Sequence, residues 1–128
     1  MEEAWRMMAC ELLERERIAI LRPEPEVPLS AEDFRVAARL VDPFIEATGP
    51  LKGVMLDARV FPGWQDGRAV WAHLTFIRRH QGCVAKVALV TDSRLLKWLW
   101  RFARAVVRPK VRLFPTGDRA NALTWLAA

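Results

Sequence analysis

Apolar residues occur along the chain in two kinds of run: short continuous blocks closed by turn residues, and longer stretches spaced three and four apart. The blocks predict strands and the spaced stretches predict helices. "RIAILR" at Arg17–Arg22 is the first clear strand, stopped by the three prolines of "PEPEVP". A segment around Met8–Glu14 reads as a strand joined to it by a hairpin through Arg15 and Glu16, with a helical reading nearly as good. Ser30 predicts the N-cap of a first helix, with Glu32 and Asp33 at the positive end of its dipole. Its inward stripe is Phe34, Ala38, Val41 and Ile45, and Pro43 should kink it or loosen its last turn. Gly53–Val60 predicts a strand covered on both faces. A second helix follows from Trp64 or Gln65 to His80, with Val70, Leu74 and Ile77 inward. Val84–Thr91 predicts another buried strand, Asp92 or Ser93 a cap, and Arg94–Arg108 a third helix. Lys110–Phe114 alternates charged and apolar residues as an edge strand does, and a last helix ends the pattern.

Strand and helix thus alternate four times behind one extra N-terminal strand. Crossovers of this kind imply right-handed βαβ units, an α/β fold of four to five mostly parallel strands with about four helices. The length of 128 residues and 52% apolar content suit one domain with a proper core. The start "MEEAWRMMACELLERER" carries acids where a secretory signal has cations, and no apolar run spans a bilayer, so a cytoplasmic protein is expected. Cys10 and Cys83 lack the spacing of a redox or zinc motif and are read as buried thiols.

The quoted segments "ILRPE", "PLSAEDF", "VDPFIE", "LKGVMLDARVFPGW", "VALVTDSR" and "RLFPTGDRANALTWL" together resemble the SpoIIAA-like family, related to the STAS fold, over Arg17 to Leu126. That resemblance implies a cytoplasmic α/β domain with a mixed sheet and no established catalysis. It also implies binding of apolar or carboxylate-bearing ligands and association with membranes. The STAS anti-sigma antagonists are switched by phosphorylation of a serine after the strand matching "GVMLDAR". Here that region reads "VFPGWQDG", and no Ser or Thr lies between Thr48 and Thr75.

Enzyme signatures do not emerge. His73 and His80 stand roughly 10 Å apart along one helix, too far to share a metal, and read as part of a polar helix face. No nucleophile motif, Walker loop or GxGxxG is present, so neither a catalytic residue, a metal nor a cofactor is assigned. The strand ends offer Arg59 and Trp64 beside Thr91, Asp92 and Ser93, a candidate pocket for a small apolar anion. Against it stands a reading in which Trp64 packs the second helix and Asp92 and Ser93 only cap the third.

Charge then singles out the third helix. The overall +5 is local: Met1–Ser93 holds 12 cations and 14 acids, Arg94–Ala128 eight cations and one acid. On a helical projection Arg94, Lys97, Arg101, Arg104 and Arg108 occupy about 80°, and the apolar arc fills about 220°, twice what a surface helix needs. Leu95, Leu99, Phe102 and Val106 are expected on the sheet, with Leu96, Trp100 and Val107 on one flank and Trp98 on the other. Those flanks could be covered by a neighbouring helix, by the last helix with Trp125, or by a second copy in a homodimer. They could instead meet an anionic membrane or an amphiphile through Leu96, Lys97, Trp98, Trp100, Arg101, Arg104 and Arg108. Nucleic acid is the weaker expectation, because an apolar arc contributes little on phosphates.

Overall fold

The computed structural model describes residues 8–128. The segment predicted around Met8–Glu14 falls within them and takes the strand reading rather than the helical one. A β-hairpin, β1 (Ala9–Leu13) and β2 (Ile18–Arg22), leads into α1 (Ala31–Thr48), β3 (Leu51–Asp57), α2 (Gly67–His80), β4 (Val84–Val90), α3 (Arg94–Val106), β5 (Lys110–Phe114) and α4 (Arg119–Ala127). The strands lie in sequence order, β1 antiparallel to β2 and every later pair parallel. The predicted α/β architecture therefore stands, as a five-stranded mixed sheet.

Sequential order decides where the helices go. Each βαβ crossover steps in the same direction, and right-handed connections then leave α1, α2 and α3 on one face. Packing agrees: Leu21, Val54 and Leu56 contact residues of those three helices. The alternate residues Ile18, Ile20, Met55, Ala88 and Val90 pack under α4 alone. A Cβ on Gly53 would stand 2.5 Å from Leu126 Cδ2 and 3.0 Å from its Cβ, so the missing side chain lets α4 lie directly on β3.

Local chemistry fixes the elements. Ser30 and Asp33 form a full capping box at the start of α1. Pro43 sits within α1, which nevertheless continues to Thr48. Arg17, at φ 61° in the hairpin turn, donates from Nη2 to the carbonyls of Thr48 and Pro50 and from Nε to Pro50. It thereby satisfies carbonyls that the end of α1 leaves open. On α1, Phe34 and Val41 are buried as expected, joined by Ala37, while Ala38 and Ile45 are half-buried.

The third strand runs two residues earlier than expected and ends at Asp57, and α2 begins at Gly67 behind Asp66, whose carboxylate accepts the Ala69 N–H at 3.0 Å. The inward face of α2 is a correction. Val70, Leu74 and Ile77 are exposed, and the residues turned in are Ala69, Ala72, His73, Phe76 and His80. Small residues let α2 approach α1, and Phe34 stacks on His73 at 4.6 Å and meets Phe76 at 6.0 Å. The two histidines therefore do not form a polar outer face.

Candidate functional site

Ser93 starts α3 by accepting the Leu96 N–H at 3.4 Å, and its own N–H donates to Thr91 Oγ1 at 2.9 Å. Seven residues past the cap, Trp100 Nε1 donates to the Val111 carbonyl on edge strand β5 at 3.3 Å. These two attachments set the rotation of the helix. Its inward residues are Leu96, which joins the core cluster, and the half-buried Leu99, Trp100, Ala103 and Val107.

The expected sheet-facing row is thereby overturned in three of its four members. Leu95 is 45% exposed, Phe102 56% and Val106 78%, and Trp98 between them is 57% exposed. Because α3 is apolar over about 220°, two different rows at helical spacing could each serve as its inner face. The row containing Trp100 is held by an indole hydrogen bond and by the cap, and the other is left in water. Trp98 and Phe102 touch edge to face at 4.9 Å. The C-terminal helix does not cover them, since Trp125 packs on Phe114 on the opposite face of the sheet.

Beside this apolar row run Arg94, Lys97, Arg101, Arg104 and Arg108. None of the five forms a salt bridge with a described residue, and all are exposed. Arg104 lies over the Trp100 ring at 4.5 Å. The helix thus has three strips: one inward, one exposed and apolar, one cationic. Beneath it the sheet is incompletely covered, with Val87, Leu89, Val111 and Leu113 half-buried, whereas Ala88 and Val90 on the other face are fully buried.

The predicted strand-end residues are placed as follows. Thr91 is buried, its N–H donating to the Phe114 carbonyl. Asp92 donates its N–H to the Arg59 carbonyl at 3.1 Å and accepts the Thr116 N–H at 3.4 Å. Hydrogen bonding from Thr116, then the nearby Lys97 and Arg59, hold the Asp92 carboxyl below the usual range. Arg59, Thr91, Asp92 and Ser93 are together at the carboxyl end of the sheet. Trp64 is turned away from them into α2, its Nε1 donating to His73 Nδ1 at 3.0 Å and its ring edge-on to Phe61 at 5.0 Å. His73 thus carries its proton on Nε2, and burial lowers its pKa to about 4.

Sequence reasoning missed the contacts of His80. Its Nδ1 faces the Phe76 carbonyl at 2.7 Å and its Nε2 the Asp42 carboxylate at 2.6 Å, joining α2 to α1. The available signal was its place four residues after Phe76 on the face that also carries Ala69 and His73. Also missed was an open groove of about 230 Å³ between α1 and α2. Among the described residues no group of three or more His, Cys, Asp or Glu is placed to hold a metal ion. No described helix is long and apolar enough to cross a membrane.

The profile of the family described as SpoIIAA-like matches residues 4–127. A crystal structure of an uncharacterised protein of the DUF3478 family with a SpoIIAA-like fold, from Shewanella loihica PV-4, superposes with a TM-score of 0.73. It is 20% identical, and the match covers 93% of this chain and 91% of that one. Among curated proteins none matches the chain.

Proposed function

Because the chain belongs to the SpoIIAA-like family, we propose a binding module rather than an enzyme, one that docks reversibly on an anionic membrane through α3. One observation carries this reading: Leu95, Trp98, Phe102 and Val106 stand in water beside five cations, none of which forms a salt bridge with a described residue. An interfacial helix needs this pairing, apolar side chains for the acyl boundary and cations for the head groups. Full burial of a large apolar side chain contributes about 1.5–3 kcal/mol. Each cation near an anionic leaflet adds about 1 kcal/mol. Part of the first and several of the second suffice for transient attachment and fall well short of permanent insertion. The half-buried sheet face under α3 supports an extension of the same reading. If α3 tilts outward, Val87, Leu89, Val111 and Leu113 would receive an apolar or acyl chain.

Flotation with phosphatidylcholine vesicles, with and without phosphatidylglycerol, tests the proposal. Binding is expected to the anionic vesicles only, with a blue shift of tryptophan emission, and Trp98→Ala with Phe102→Ala should abolish it. Absence of binding to either vesicle, or binding unchanged in the double variant, would sink it.

The second reading is a STAS-type protein-interaction module without the phosphorylatable serine. It is favoured by Asp66, a carboxylate that caps α2 at the end of the loop where a switching serine would be sought. That reading predicts a stoichiometric protein partner retained at moderate salt.

A further inference from the structure

The groove between α1 and α2 is separate from the α3 surface. Its apolar walls are Ala31, Phe34 and Ala38 on α1 and Trp71, Ala72 and Phe76 on α2, three aromatic rings set among three alanines. Trp71 is 70% exposed at its mouth. At about 230 Å³ it falls just below the roughly 300–1,000 Å³ of pockets that hold drug-sized molecules, which limits an occupant to one small ring system.

Four polar side chains line the same groove: Arg35, Thr75, Arg79 and His80, the last already held by Asp42. Thr48 and Thr124, also in helices, donate their hydroxyls to the carbonyls four residues earlier. The Thr75 hydroxyl makes no such bond and has no partner among the described residues. Arg79, one turn further along α2, is likewise without a salt bridge or side-chain hydrogen bond among them.

The acids nearby are already engaged. Glu32 serves two guanidiniums, Arg35 at 2.7 Å and Arg39 at 3.6 Å, and Asp42 accepts His80 Nε2. Positive charge is therefore in surplus along the rim. A guanidinium and a hydroxyl one helical turn apart are suited to one carboxylate, which accepts from both.

We propose that the α1–α2 groove binds a small aromatic monocarboxylate. Its ring lies between Trp71 and the Phe34–Phe76 wall, and its carboxylate is held by Arg79 and Thr75 with Arg35 opposite.

The test is a nitrogen–proton shift titration of the full chain with 2-naphthoate, alongside 2-naphthalenemethanol and octanoate, without vesicles. Saturable shifts at Ala38, Thr75 and Arg79 are expected with naphthoate. The uncharged alcohol should bind about tenfold or more weakly, having lost the charge-assisted bonds, and octanoate about several-fold more weakly, having lost ring stacking. Arg79→Gln, alone and with Thr75→Val, should weaken naphthoate about tenfold while the remaining resonances stay in place. Lack of saturation, equal binding of the alcohol or of octanoate, unchanged affinity in the variants, or shifts centred on α3 would each overturn the assignment. Because no lipid is present, this outcome is independent of whether α3 docks on membranes.

Discussion

The two faces of the sheet are covered in opposite ways. One face carries α4, a nine-residue helix with no marked amphipathicity, and beneath it Met55, Ala88 and Val90 are wholly buried. The other carries three helices, one of them the most amphipathic of the described helices, yet Val87 and Leu89 on the same strand β4 remain half-buried. The amount of apolar surface on a helix therefore does not measure what it contributes to the core. On α4 Leu126 is fully buried, and the half-buried Leu123 and Trp125 pack against the same cluster. On α3 one apolar row is used, and the other is available to something outside the fold.

The sharpest break of this contrast is a truncation on each side. Leu126→Ala should cost about 2–5 kcal/mol in denaturant unfolding, because the site is closed around it and would keep a cavity. A loss under about 1 kcal/mol would show that α4 is not the better-packed cover. Next in size is a pH effect confined to the three-helix face. His73 is neutral in the fold down to about pH 4, while in the unfolded chain an ordinary histidine takes a proton near pH 6.5. Below that point the unfolded state binds a proton the native state refuses, so stability falls as pH drops from about 6.5 to about 4, by on the order of 2–3 kcal/mol. Urea titrations at several pH values should show this slope, and His73→Gln should flatten it. The α4 cluster contains no histidine, so its hydrogen-exchange protection should change less over that range than that of α2. The smallest effect is expected at Phe102→Ala, within about 0.5 kcal/mol of the parent in the same assay. A cost matching that of Leu126→Ala would place Phe102 in the core and remove the contrast.

Most of the architecture was legible because it rests on signals that do not depend on tertiary detail. Ser30 with Asp33, the prolines after Arg22 and the apolar block of β4 announce their elements by local chemistry. Facing was harder. Ala69, His73, Phe76 and His80 form the inner row of α2, but aliphatic Val70, Leu74 and Ile77 make a more hydrophobic row at the same spacing, and periodicity alone prefers it. What decides is the close approach of α1, with Phe34 between the two histidines' turns, a contact no local pattern encodes. On α3 the same ambiguity was resolved by Trp100 reaching Val111, a bond between elements. The cationic stripe was fully legible, since position on a helix fixes it. The groove beside Thr75 and Arg79 was not, because it belongs to two helices at once.

The strictly sequential strand order has a consequence for how the chain finds this structure. Every strand pairs with the one before it in sequence, but only β1 and β2 do so through a tight turn. Each later parallel pairing, such as Ile18 with Gly53 or Lys86 with Lys110, must first close a whole helical crossover, which slows folding. The α4 contact closes a longer loop still. Leu126 meets Gly53 across more than half of the chain, so the face holding Ile20, Met55 and Ala88 stays open until this long loop closes. During that interval the apolar surface at greatest risk of association with other chains is the one that the finished protein hides best.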